Sequence, residues 1–182
     1  MMNCWKTINF TKQYGSQRLF ILSSLTMLAT FIFTYVPATY VFVPGSFYDN
    51  YFIFFAAGLW LLYPVHKLLH YLPIAHLGSI VKKQLKIKYG FMPILYIRIT
   101  EPISKRLFLT ATLAPMFIIN SMLLAACFIF PHYVHYLIIL FAFHAGLSFS
   151  DIVCAKNVLT APNQSYVEEN EDGFEILLHS NQ

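Results

Sequence analysis

The sequence predicts an all-α membrane protein, a four-transmembrane-helix bundle with a small cytoplasmic β-hairpin and a short acidic tail. Three observations predict it. Of 182 residues, 58% are hydrophobic and only 11% charged, which excludes an ordinary soluble domain. Charge-free runs cover Leu19 to Tyr48, Tyr51 to His66, Leu107 to His135 and Tyr136 to Ser150. A membrane helix needs about 20 mostly apolar residues, so each run reaches a span alone or by borrowing a few neighbours. The positive charge is also lopsided. Lys6, Lys12 and Arg18 precede the first run, and Lys82, Lys83, Lys86, Lys88, Arg98, Lys105 and Arg106 lie between the second and third. Cytoplasmic connections of membrane proteins carry the excess of lysine and arginine, so both termini and the basic loop are expected in the cytoplasm. The net charge of +4 is spent on this asymmetry and points to a lipid bilayer, not to nucleic acid.

Taken in order, residues 1–17 read as a cytoplasmic arm, with Trp5 and Phe10 suited to the interface. Residues 18–155 read as the membrane domain, with spans over about 18–43, 51–72, 107–130 and 133–153. The first apolar run is too long for a cleaved leader and reads as a retained span. Pro37 is expected to kink or end the first helix. Pro44-Gly45-Ser46 makes the next turn, and Asp49-Asn50 offers caps for the second span. The loop 73–106 is too charged to cross. Within it Leu85-Lys86-Ile87-Lys88-Tyr89 alternates apolar and polar residues, Gly90 follows, and Ile94 to Thr100 is β-branched and aromatic, the pattern of a hairpin. Pro131-His132 turns the chain between the last two spans. Residues 156–182 form a tail with Glu168, Glu169, Glu171, Asp172 and Glu175, expected to be drawn to the basic loop and to pack Val167, Phe174 and Ile176 on its hairpin. Cys4, Cys127 and Cys154 have no framework spacing and are expected as reduced thiols.

The chemistry centres on Pro64-Val65-His66-Lys67-Leu68-Leu69-His70. Residues four apart share a helix face, so His66 and His70 can reach one point. This is the ligand half of the zinc helix H-E-x-x-H, whose glutamate is the general base. Lys67 occupies that general-base position. The second and fourth spans run in the same direction, which sets Asp151 at the depth of the two histidines. His66, His70 and Asp151 are a suitable three-ligand set for zinc with one position open. Ionisable groups inside spans are expensive and are functional candidates for that reason. Against this stand snorkelling of His66, Lys67 and His70 to headgroups, and pairing of Asp151 with Lys67 or Lys156. His144, two turns before Asp151, and Cys154, one turn after it, read as auxiliary ligands or, more simply, as helix-packing residues.

In these features, and in Gly146-x-x-x-x-Asp151, Thr112-Leu113-Ala114-Pro115 and Val167-Glu168-Glu169…Asp172-Gly173-Phe174-Glu175, the chain from about Phe52 to Leu177 resembles the zincin peptidases of bacterial multi-pass membranes, relatives in outline of the site-two intramembrane metalloproteases. The resemblance implies that Asp151 is the third metal ligand. Asn120, five residues after Pro115, is similar to the asparagine of the site-two proteases that contacts substrate backbone, with an interhelical hydrogen bond as the plainer alternative. Three functions follow: a metalloprotease-like protein of the cell membrane that lacks its base and binds another membrane protein or peptide; an active zinc peptidase with Lys67 or a distant carboxylate as base; or a membrane scaffold without metal.

Overall fold

A computed structural model describes residues 2–42, 47–88, 92–170 and 173–179. The chain opens with a strand, β1 (Met2–Asn9), and a single turn, α1 (Phe10–Gln13), before the helix α2 (Ser16–Val41). Helix α3 (Phe52–Tyr71) follows and tightens into a 3₁₀ segment, Leu72–Ile80. Strands β2 (Val81–Lys88) and β3 (Met92–Ile99) pair antiparallel as the expected hairpin, and a two-residue strand, β4 (Ile103–Ser104), leads into α4 (Lys105–Ile129). A 3₁₀ turn at Pro131–Tyr133 gives way to α5 (Val134–Leu147) and α6 (Phe149–Leu159). Strands β5 (Ser165–Glu169) and β6 (Gly173–His179) close the chain.

Helices α2 and α4 and the α3–3₁₀ unit are each long and apolar enough to cross a membrane. The segment Pro131–Leu147 and helix α6 pass the same test together, bent by 43°. The apolar side chains of these helices are largely turned outward: Phe33 is 79% exposed, Ile53 79% and Phe128 72%. In water such a surface would aggregate; in a bilayer it is the ordinary lipid-facing wall.

The expectation of an all-α chain needs correcting. A four-stranded antiparallel sheet, ordered β1-β6-β5-β4, joins the N-terminal arm and the acidic tail. The arm forms a strand paired with β6, Ile8 opposite Phe174 and Asn9 opposite Gly173. Within the tail, Ser165, Val167, Phe174 and Ile176 recur at every second position, so one face of each strand turns inward. Val167, Phe174 and Ile176 pack with Ile8, Ile99, Ile103 and Phe108 in the main core, at the junction of sheet and helices. The tail therefore docks on β1 and β4, and it meets the hairpin at its base, where the Ile99 amide donates to Glu169 Oε2 at 3.1 Å. Gly173 permits this closure, because a Cβ there would strike the carbonyl oxygen of Ile8.

Three smaller corrections have local causes. Helix α2 continues past Pro37 to Val41, so the proline does not end it, as a proline inside an apolar membrane helix is tolerated. Asp49 and Asn50 do not cap α3; they accept from the hydroxyls of Tyr136 and Tyr133 instead, each at 3.3 Å. The stretch expected as a fourth span is two helices, α5 and α6, with a bend at Ser148 between them. The turn at 44–46, Tyr89-Gly90, Glu171 and Asp172 lie outside the described residues. Cys4, Cys127 and Cys154 carry free thiols, as expected.

The sheet also orders the helices. Helix α2 leaves it after β1 and α4 leaves it after β4, while α6 returns to it before β5. Strands β1 and β6 pair directly, so both ends of the described chain lie on one face of the bundle.

Candidate metal centre

The histidine pair forms as its spacing requires. On α3, His66 and His70 stand one turn apart with their rings nearly perpendicular, centroids 4.7 Å apart, and their Nε2 atoms 3.1 Å apart. Asp151, in the first turn of α6, completes the group: its Oδ2 is 3.1 Å from His66 Nε2 and its Oδ1 3.6 Å from His70 Nε2. His66 is 3% exposed, and His70 and Asp151 are partly buried.

The backbone of α4 fixes how His70 presents itself. A helical carbonyl normally accepts the N–H four residues on, but the residue four after Ala111 is Pro115, which has none. The Ala111 oxygen lies 2.9 Å from His70 Nδ1. A carbonyl can only accept, so Nδ1 carries the proton and Nε2 turns a bare lone pair towards Asp151. The Thr112-Leu113-Ala114-Pro115 motif thus has a local physical reason. Thr112 adds to it by donating its hydroxyl to Phe108 O at 2.8 Å, within the same stretch of helix.

Gly146 has a reason too. A Cβ there would lie 3.0 Å from both Ser23 O and Met27 Cβ of α2, so the glycine lets α5 approach α2 closely just before the bend that delivers Asp151.

The donor set fits zinc. Two imidazole nitrogens and a carboxylate oxygen are ordinary zinc ligands, and bonds of roughly 2.0–2.2 Å at tetrahedral angles set ligand atoms roughly 3.3–3.5 Å apart. The two Nε2 atoms stand 3.1 Å apart, the two carboxylate oxygens of Asp151 face one imidazole each at 3.1 and 3.6 Å, and one donor atom from each residue lies within 4.8 Å of the other two. Asp151 Oδ2 is buried against His66 Nε2 at 3.1 Å, so the carboxylate faces inward to a partner that is either an imidazole N–H or a cation. Lys67 stands between the two histidines in sequence, half-buried on the same helix.

The remaining candidates resolve differently. His144, fully buried, is on the far side of His66: its Nε2 is 3.0 Å from His66 Nδ1. Its Nδ1 is 2.7 Å from Asn120 Oδ1, so Asn120 makes an interhelical hydrogen bond. The sequence placed His144 two turns from Asp151 but did not connect it to His66. A histidine and an asparagine in two apolar spans were the available signal, because buried polar groups in a membrane find each other. Cys154 packs against the main core. His132 stacks on Tyr48 and His135 lies 3.4 Å from Asp49 Oδ1, at the opposite end of the bundle.

Two histidines one turn apart, one buried and one partly buried, faced by a carboxylate from a second helix, form a group that could hold a metal ion in a bundle of apolar helices. The family described as Putative zincin peptidase matches residues 59–166, which is more than half of the chain, and the chain belongs to that family. No curated protein and no solved structure matches it.

Proposed function

We propose that this chain is a four-span protein of the cell membrane that binds zinc through His66, His70 and Asp151 and holds, without cutting, a segment of another membrane protein or peptide. The observation that carries this reading is the meeting of two imidazole nitrogens and the carboxylate of Asp151 beside a helix position that bears Lys67. Zinc held there supplies a Lewis acid with one open position. Peptide hydrolysis also needs a general base within hydrogen-bond reach of the attacking water. A lysine ammonium offers three donors and no acceptor, so the zinc-helix position that should take this proton cannot. What remains is a site able to orient a peptide carbonyl. The bias of lysine and arginine supports a cytoplasmic location for the sheet, the hairpin and both termini.

The test is Lys67→Glu. Reversing one charge about 10 Å from a dication, at an effective dielectric of about 40, is worth about 3 kcal/mol, or roughly 100-fold in affinity. The substituted protein is expected to retain more zinc on purification than the parent, and His66→Ala or Asp151→Ala is expected to abolish the gain. Equal, near-zero zinc in the parent and Lys67→Glu proteins would mean that the three side chains form no metal site. Chelator-sensitive cleavage of a membrane peptide by the parent would instead establish an active peptidase.

A further inference from the structure

We infer that Asn120 and His144 are positioning residues that set which nitrogen of His66 carries its proton, and so hold the centre in its metal-accepting form. The inference rests on the zinc reading above for its consequence, but its chemistry is read from the hydrogen bonds alone. Three side chains from three helices lie in series. Asn120 Oδ1 on α4 is 2.7 Å from His144 Nδ1 on α5, and His144 Nε2 is 3.0 Å from His66 Nδ1 on α3. His66 and His144 are 3% and 0% exposed, so water does not exchange for either partner.

A neutral imidazole has one N–H and one lone pair. With the Asn120 oxygen facing it, His144 must donate from Nδ1, which leaves its Nε2 as an acceptor. His66 must then donate from Nδ1, and its Nε2 lone pair faces His70 and Asp151. One amide oxygen in α4 therefore decides the proton positions on two rings in other helices. The reverse order is also self-consistent. If a donor faced His144, its proton would move to Nε2, His66 would accept at Nδ1, and His66 Nε2–H would point at Asp151 Oδ2, 3.1 Å away. That form satisfies the carboxylate with a proton and closes the centre to a metal.

The two orders separate two substitutions. Asn120→Asp supplies an acceptor with no donor and locks the metal-accepting order. Asn120→Leu removes the acceptor and releases His144 to the closing order. Loss of a partner behind a metal-bound histidine typically lowers metal affinity about 10–100-fold. Zinc affinity, measured by competition with a chelating indicator on the full chain in detergent, is expected to stand in the order Asn120→Asp at or above parent, and Asn120→Leu about 10–100-fold below it. The second readout needs no metal. In the metal-free protein, ¹⁵N shifts of histidine are expected to show His66 protonated at Nδ1 in the parent and in Asn120→Asp, and at Nε2 in Asn120→Leu. Should the leucine variant fail to accumulate, Asn120→Ala removes the same acceptor without added bulk. A metal-free parent with His66 protonated at Nε2 overturns the inference, as does an Asn120→Leu protein with parental zinc affinity and parental His66 shifts. A parent that shows the expected His66 proton but takes up no zinc refutes the zinc reading and leaves the positioning role standing.

Discussion

Replacing Pro115 by alanine separates the stability of α4 from its service to the metal centre. Proline in a helix interior costs about 3 kcal/mol relative to alanine, and the substitution returns an N–H to the Ala111 carbonyl. Against that gain stands the loss of a ring that is fully buried. Removing roughly two methylenes from such a site forfeits about 0.8 kcal/mol each, with a further cavity cost that brings the loss to about 2–3 kcal/mol. The two effects nearly cancel, so the unfolding temperature of the metal-free protein is expected within about 4 °C of the parent. Zinc affinity is expected to fall, because a carbonyl drawn back into the helix ladder releases His70 Nδ1, now held at 2.9 Å. The loss should be about tenfold, at the low end for a second partner of a metal-bound histidine, since a carbonyl has two lone pairs and can keep part of the older bond. Thermal unfolding in detergent and competition with a chelating indicator measure the two quantities independently. Zinc affinity within twofold of the parent, with the fold intact, would refute the claim that Pro115 frees Ala111 for His70.

Two further predictions concern the scaffold. Gly173→Ala drives a Cβ into the Ile8 carbonyl and is expected to break the β1–β6 pairing, destabilising the protein by about 2–4 kcal/mol and opening the N-terminal strand to protease; cleavage and melting unchanged from the parent would show that the sheet closes without that close approach. Reporter domains fused after Lys88 and after Gln182 are expected to read cytoplasmic, and an external signal from either would overturn the orientation drawn from the lysine and arginine bias.

The helices were legible because their signal is local. Charge-free runs of span length located α2, α3 and α4 to within about two residues at each end, and alternation from Leu85 located the hairpin, whose first strand starts four residues earlier, at Val81. His66 and His70 were legible from spacing, and Asp151 from the direction of its span. The sheet was not, because its evidence is split across the chain. Strand β1 includes Asn3, Lys6, Thr7 and Asn9 and shows one fully buried side chain, Ile8; its partner β6 begins at Gly173. Nothing within the first nine residues announces a strand whose pairing lies at the other end of the sequence. In the tail, the acids Glu168, Glu169 and Glu175 drew attention away from the every-second-residue rhythm of Ser165, Val167, Phe174 and Ile176. The bend at Ser148 was illegible for a related reason: the apolar run continues through it.

Helix α4 contributes no ligand, yet it holds both helices that do. Through the Ala111 carbonyl it orients His70 on α3, and through Asn120 and His144 it reaches His66 on the same helix. At its first residue the buried Lys105 ammonium donates to Leu159 O at 3.0 Å and Ala161 O at 2.6 Å, tying down the end of α6, the helix that brings Asp151. Charge-assisted hydrogen bonds of this kind contribute about 1.5–3 kcal/mol each, more than an exposed ion pair of about 0–1 kcal/mol. The depth and spacing of the three ligands are thus determined from α4, by contacts that do not involve position 67. The residue at position 67 can therefore be changed without disturbing how His66, His70 and Asp151 meet, which is why metal binding, and not cleavage, is the property to measure first.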